Sequence, residues 1–204
     1  MISVIMPSYL GAYKHAARDR DKKIVRAIYS VCRQTYKDWE LVVIADGCNK
    51  TVDIVQEIVD IYTEFQVNII YINKQPIWSG IVRNTGLDAA KGDYCCYLDI
   101  DDAFAPGHLE GLEKGSRGGK DWYWFDDYVW NGQEFRHRRG NINKAGQCGT
   151  SNVMHRRDIA RWGTKGTYAH DWIFIRNLKR GSKDFEYVKA GRYLVCHVPA
   201  KFDI

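Results

Sequence analysis

The chain has 204 residues, 45% of them hydrophobic and 27% charged, with a net charge of +5. This length supports one domain with a proper core, and the hydrophobic share argues against disorder. The modest basic excess suits phosphate-bearing ligands and argues against a dedicated nucleic-acid binder.

Six cysteines, Cys32, Cys48, Cys95, Cys96, Cys148 and Cys196, form no C-x-x-C pair. A zinc ribbon or thioredoxin-type motif therefore has no support, and a reducing compartment is the simpler expectation. Residues 1–6 lack a basic leader and run into Pro7, and no apolar run is long enough to span a bilayer. The expectation is a cytoplasmic protein, at most peripheral to a membrane.

Residues 2–6 are an apolar run stopped by Pro7, which predicts a buried strand and a loop over 7–11. Ile24, Ile28 and Val31, with Val25 and Cys32, are spaced for the apolar face of a helix. Residues 40–45 predict a second buried strand ending in the turn-rich 46–49, where Asn49 is placed to cap a helix. The stripe of that helix is Val52, Val55, Ile58, Val59 and Tyr62. Residues 67–72 predict a third strand. Ser79 is placed to cap a helix running to about Ala90, with Gly92 as its stop. Residues 94–98 are apolar or aromatic without a break, as in a strand buried on both faces.

Asp99, Asp101 and Asp102 follow that strand. Three carboxylates at a strand end call for cations or water. In an extended chain side chains alternate, so Asp99 and Asp101 point the same way, a geometry that suits a divalent ion bound to phosphate. The plainer reading is a solvated acidic turn.

Four alternations of strand and helix predict a doubly wound, mostly parallel sheet, in which ligands bind beyond the carboxyl ends of the strands. Residues 7–11, 46–49 and 99–102 then share one crevice. The second half predicts a short helix over 106–113, with Pro106 in its first turn, and an aromatic-dense strand or strand pair over 121–130. A basic loop at 136–139, a strand edge over 151–157 and a short helix over 158–162 follow. Another helix runs from His170 to near Gly181, before closing strands over 185–189 and 193–198. No repeat or linker divides the chain, so one domain over 1–204 is expected.

Ile2-Ser3-Val4-Ile5-Met6-Pro7-Ser8-Tyr9 resembles the opening strand of family 2 nucleotide-sugar glycosyltransferases of the GT-A fold. Residues 28–36 are similar to that family's first helix and its Gln-Thr-Tyr end, and residues 40–47 to its second strand. Arg83-Asn84-Thr85-Gly86-Leu87 is similar to its Arg-Asn-x-Gly helix, and Leu98-Asp99-Ile100-Asp101-Asp102 to its metal-binding Asp-X-Asp. The resemblance implies an α/β GT-A fold: a Rossmann-like, mostly parallel central sheet with helices on both faces and a smaller mixed C-terminal acceptor region. Residues 1–103 would bind the nucleotide-sugar and 104–204 the acceptor.

It further implies roles. Pro7, Tyr9 and Asp46 lie where the family contacts the nucleotide, and Arg83 faces the diphosphate and sugar. Asp99 contacts ribose or metal, Asp101 is the direct ligand of Mn²⁺ or Mg²⁺, and Asp102 binds the donor sugar or supports the metal. His197 stands at the place of a late metal-ligating histidine. Asp171 is the candidate catalytic base for an inverting transfer from a nucleoside diphosphate donor, UDP by analogy, to a glycan, lipid-linked or protein-linked acceptor. The chain departs from the pattern at His170, where the family has Glu, at Ala45 and Leu10, and in a longer segment over 11–23.

Plainer readings stand beside these. Asp171 is a helix N-cap, His197 a core histidine, Asp46 a turn residue, the aromatic run core, and the 136–139 cluster a solvated loop. The alternatives at the level of function are a metal-dependent nucleotidyltransferase and a non-catalytic nucleotide-sugar or glycan-binding module.

Overall fold

The computed structural model describes residues 1–198 and 202–203, the side chains of residues 190, 197, 198, 202 and 203 excepted. The apolar runs of the first half become β1 (Ile2–Ser8), β2 (Trp39–Asp46), β3 (Val67–Ile72) and β4 (Tyr94–Tyr97). They pair in parallel in the order β3-β2-β1-β4. Between them run α1 (Arg20–Cys32), α2 (Asn49–Ile61) and α3 (Ile81–Ala89).

The strands are apolar on both faces because both are covered. Val4, Met6, Leu41 and Val43 pack into one core with Ile24, Ile28 and Val31 of α1 and Val55 and Ile58 of α2. Their neighbours Ile5, Val42 and Ile44 pack into a second core with Val82 and Leu87 of α3. This two-residue alternation is the pleat of the strand.

The second half adds β5 (Ala103–Phe104), α4 (His108–Gly115), β6 (Trp122–Trp130), β7 (Phe135–Arg138), β8 (Val153–Arg156), α5 (His170–Gly181), β9 (Phe185–Val195), β10 (His197–Val198) and β11 (Phe202–Asp203). The sheet continues as β4-β8-β6-β9-β5, with β7 beside β6. β8 runs antiparallel to both β4 and β6, so the parallel half passes into a mixed one. Phe174, Ile175 and Leu178 of α5 join the core that α3 covers. Within it, Trp162 Nε1 donates to the Tyr97 hydroxyl at 2.8 Å, and that hydroxyl lies 2.7 Å from His155 Nε2. Burial pushes the His155 imidazole down to about 4, so the neutral ring completes the network.

Several local expectations change. α2 starts at Asn49 itself, with Cys48 at the cap and no side-chain cap. α4 starts at His108 rather than Pro106, because Gly107 takes φ 78° and the helix begins after it. Residues 158–162 form no helix. The closing segment is one continuous strand, β9, followed by the short β10. The basic cluster is no loop: Arg136, His137 and Arg138 lie in β7. Arg138 sits opposite Asp127 in the β6–β7 register and forks onto its carboxylate, with Nε 2.8 Å from Oδ1. Half of the aromatic run is core: Trp122, Tyr123 and Phe125 are buried, whereas Trp124, Tyr128 and Trp130 are half-buried. All six cysteines are free and buried. Among the described residues no helix is long and apolar enough to cross a membrane.

Candidate active site

The crevice forms where β1, β2 and β4 end. Pro7 stays within β1, paired with Ile44 of β2. The loop after β1 is held by Arg20, the first residue of α1, which donates to the carbonyls of Tyr9 (2.8 Å), Leu10 (3.2 Å) and Gly11 (2.6 Å). Its guanidinium also lies 4.8 Å from the Tyr13 ring centroid. Tyr9 stacks on Tyr13 at 6.4 Å and carries Lys74 Nζ over its ring at 4.2 Å. Lys74 in turn donates to Asp46 Oδ2 at 2.7 Å, and the Gln75 amide to Asp46 Oδ1 at 2.6 Å. Asp46, 6% exposed, thereby ties the end of β2 to the segment leaving β3.

The aspartate cluster is not extended. The Asp102 amide bonds the Asp99 carbonyl at 3.1 Å, closing a turn, so the alternation expected from a strand does not apply and Asp102 parts from Asp99 and Asp101. Asp99 Oδ1 accepts from Arg83 Nη2 at 2.9 Å, while Thr150 Oγ1 lies 3.5 Å from Oδ2. Asp102 turns inward and is buried, accepting from the Tyr193 hydroxyl at 2.9 Å and the Cys196 amide at 2.8 Å. Burial, with Asp101 and Asp99 adding to it, holds its carboxyl well above the usual range. Arg26 Nη2 donates to the Asp101 carbonyl at 2.7 Å. Asp101 also acts on Tyr13: burial first, then the Asp101 carboxylate, push that phenol up.

Among the described residues no group of three or more His, Cys, Asp or Glu side chains is arranged as a metal cage. Two hard carboxylates on one half-buried turn, Asp99 and Asp101, are nevertheless the donor set Mg²⁺ or Mn²⁺ takes when substrate phosphates supply the remaining oxygens. The residues present fit that ion. The side chain of His197 lies outside the described residues, so nothing is placed there.

On the far side of the crevice stands Asp171. It occupies the first turn of α5, where Ala169 holds the cap position, so the capping reading does not apply. Its side chain is 38% exposed, but Oδ1 is buried, 2.9 Å from His170 Nε2. Gly149 leaves the space over it open: a Cβ there would stand 3.2 Å from Oδ2. Burial pushes the Asp171 carboxyl up, but His170 and Arg83 outweigh it and hold the group below the usual carboxylate range. Arg83, 8% exposed, thus acts on both Asp99 and Asp171, with its guanidinium 4.9 Å from the Trp162 ring.

The model of glycosyl transferase family 2 matches residues 3–179. The chain belongs to glycosyl transferase family 2. Among its relatives, the glycosyltransferase GlyA of Streptococcus pneumoniae is 31% identical over 113 residues, 55% of this chain and 14% of GlyA. The structure of Staphylococcus aureus TarS 1–349 in complex with UDP-GlcNAc superposes with a TM-score of 0.78 at 16% identity, over 98% of this chain and 60% of that one. The mannosyltransferase PcManGT of Pyrobaculum calidifontis, in complex with GDP-Man and Mn²⁺, superposes with a TM-score of 0.67 at 12% identity, over 95% and 56%. These structural likenesses establish the GT-A fold. The family 2 chain spans less than half the length of the curated relatives it matches.

The family 2 crevice also contains residues that motif reading passed over. Arg20, Lys74 and Thr150 are polar residues outside those motifs, and the partners they meet lie 11, 28 and 51 positions away in sequence. Tyr13 lies in the long 11–23 segment, and Trp78 in the loop before α3; neither has a periodic pattern around it. A signal was available for Trp78: a tryptophan between Pro76 and the Ser79-Gly80 pair sits in a turn, where a large ring has no core to enter.

Proposed function

We propose that this family 2 domain transfers a sugar from a nucleoside diphosphate donor, UDP first among them, to an acceptor hydroxyl with inversion at the anomeric carbon. The observation that carries the reading is the meeting, around Arg83, of Asp99 from the donor turn and Asp171 from α5. Tyr9 with Lys74 and Asp46, beyond Pro7, would receive the nucleotide, and Arg83 the diphosphate charge. Asp102 is better suited to holding the turn through Tyr193 and Cys196 than to touching the sugar.

Asp171 would take the proton of the acceptor hydroxyl as its oxygen forms the new bond to the anomeric carbon. The old bond from that carbon to the diphosphate breaks, and its electron pair leaves with the phosphate. Asp99 and Asp101 would hold a divalent cation, the kind present as Mn²⁺ in the PcManGT complex; it would supply charge neutralisation at the leaving diphosphate. His197 as a third ligand belongs to the same proposal. So do acceptors that are glycans or are carried on lipid or protein, and contact with a membrane surface.

The test is a thermal-shift screen of nucleoside diphosphates and their sugars with and without Mn²⁺, followed by assay of nucleoside diphosphate release. Ligand binding to the native state raises the melting temperature by linkage. A chain that no nucleotide stabilises in the presence of Mn²⁺, and that releases none from any sugar donor, refutes the reading.

A further inference from the structure

Beside Asp171 the molecule displays large aromatic rings to solvent. Trp78 is 37% and Tyr168 79% exposed. Trp78 stacks on His170, the neighbour of Asp171, with centroids 5.5 Å apart and planes at 30°. Tyr168 meets Trp78 edge to face at 5.5 Å, and Tyr13 does so from the donor side at 6.2 Å.

Trp78 also holds φ 65°, a left-handed conformation that bulky residues avoid. The surrounding chain enforces it. The Ser79 amide bonds the Pro76 carbonyl at 3.0 Å, the Ser79 hydroxyl the Thr164 carbonyl at 3.1 Å, and the Gly80 amide the Gly163 carbonyl at 2.9 Å. The loop before α3 and the loop over 162–166 touch so closely that a Cβ on Gly80 would stand 2.2 Å from Trp162 Cβ. Glycine at position 78 would relieve the backbone and remove an exposed ring. A large indole kept there, in a strained backbone next to a buried imidazole and a carboxylate, points to an occupant for its face.

The lining beside it fits a ligand with a flat apolar face and a hydroxyl rim. A cavity of about 300 Å³ is bordered by Gly163, Thr164, Lys165, Thr167, His170 and Ile173. Thr164, Thr167 and Lys165 offer hydrogen bonds beside the His170 ring on which Trp78 stacks, the division of surfaces that a pyranose ring presents in reverse.

We propose that Trp78 and Tyr168 form the platform for the acceptor, and that the acceptor group is a pyranose ring, its C–H face on the indole and its reacting hydroxyl directed to Asp171. The inference rests on the transferase reading above. It narrows the acceptor to a carbohydrate and makes Trp78 a specificity-determining residue.

The experiment uses methyl hexopyranosides as acceptors and glycerol as the ring-free control, with the sugar donor that stabilises the wild type and with Mn²⁺. Trp78→Ala and Tyr168→Ala should raise the acceptor KM about tenfold and several-fold respectively, with donor KM moving far less. Trp78→Phe should recover most of the loss. Trp78→Gly suits the left-handed backbone, so it tests the ring in a chain that folds; it should behave like Trp78→Ala.

Unchanged acceptor KM in both Trp78→Ala and Trp78→Gly overturns the proposal, and so does a change confined to donor KM, which would put Trp78 in the donor subsite. A wild type that glycosylates glycerol but no pyranoside overturns the platform while leaving the transferase reading intact. A wild type that binds no donor removes both.

Discussion

Gly86 links the packing of the fold to the geometry of the site. It lies on the face of α3 that rests on the sheet. A Cβ there would stand 2.5 Å from Ile5 Cγ2 and 2.9 Å from Ile44 Cδ1. Ordinary carbon contacts are about 3.5–4.0 Å, so Gly86→Ala must lift the helix by roughly 1 Å. Ile5 and Ile44 belong to two adjacent strands and are fully buried, so they have little room to yield.

Overpacking of this kind costs about 1–3 kcal/mol, and alanine returns about 1 kcal/mol of helix propensity. The net loss is about 0–2 kcal/mol, a fall in Tm of at most about 8 °C for a chain of this size. Arg83 stands one turn earlier on the same helix, 2.9 Å from Asp99. A displacement of about 1 Å removes that hydrogen bond, and misplacement on this scale costs about 10²-fold in rate. Gly86→Ala should therefore lose far more kcat/KM than stability, measured by calorimetry beside initial rates of nucleoside diphosphate release. A variant with kcat/KM within about threefold of the wild type would refute the coupling between helix seating and the Arg83 position.

Asp171→Asn should lower kcat about 10²- to 10⁴-fold while the donor-induced thermal shift persists; wild-type turnover would remove Asp171 from the base role. His170→Gln should move the acid limb of the pH–kcat profile upward. The base works when ionised, so its rate is lost as pH falls through a pKa now held low partly by His170, and without that imidazole burial raises it; an unmoved limb counts against the pairing. Arg138→Met should cost about 3 kcal/mol in chemical denaturation, because it strands the Asp127 carboxylate, 0% exposed, with the Ser151 hydroxyl as its remaining side-chain donor among the described residues, at 2.9 Å. A loss below about 1 kcal/mol would refute a structural role for the Arg138–Asp127 pair.

The parallel half was legible because its physics is local. Residues 2–6, 40–45 and 67–72 are short apolar or alternating runs, and Ile24, Ile28 and Val31 repeat at helical spacing, so strand and helix followed from periodicity. The three aspartates were legible as a cluster but not as individuals. Their separation depends on the turn between Asp99 and Asp102 and on Tyr193 and Cys196, which arrive from the last long strand.

In the second half, pairing decides local structure. Arg138 reads as a loop cation until β6 supplies Asp127 opposite it, and β9 reads as two strands because it pairs with β6 over 185–188 and 193–195, on either side of a register shift, while its backbone stays extended between them. Asp171 was legible only through the Asp-Trp pair at a helix start. Its charged neighbours are an adjacent histidine and an arginine from α3, and the arginine's proximity exists only after folding.

The site is therefore organised by α3 more than by the aspartate turn. Asp99 and Asp171 come from segments that share no local sequence, and two carboxylates in one crevice repel unless a cation stands near both. Arg83 gives Asp99 a hydrogen bond and draws the Asp171 proton affinity down, while its own charge is shielded from solvent over the Trp162 ring. The same helix sets Arg83 through the glycine contact of Gly86 with the sheet, and the loop that enters it carries Trp78 against His170 through the Gly80–Gly163 hydrogen bond. One short helix, Ile81–Ala89, thus sets the Arg83 guanidinium, the ionisation of Asp171, the proposed base, and the place of Trp78 beside it. Changes in how α3 sits on β1 and β2 should move all three together, whereas changes within the aspartate turn should act on the donor side alone.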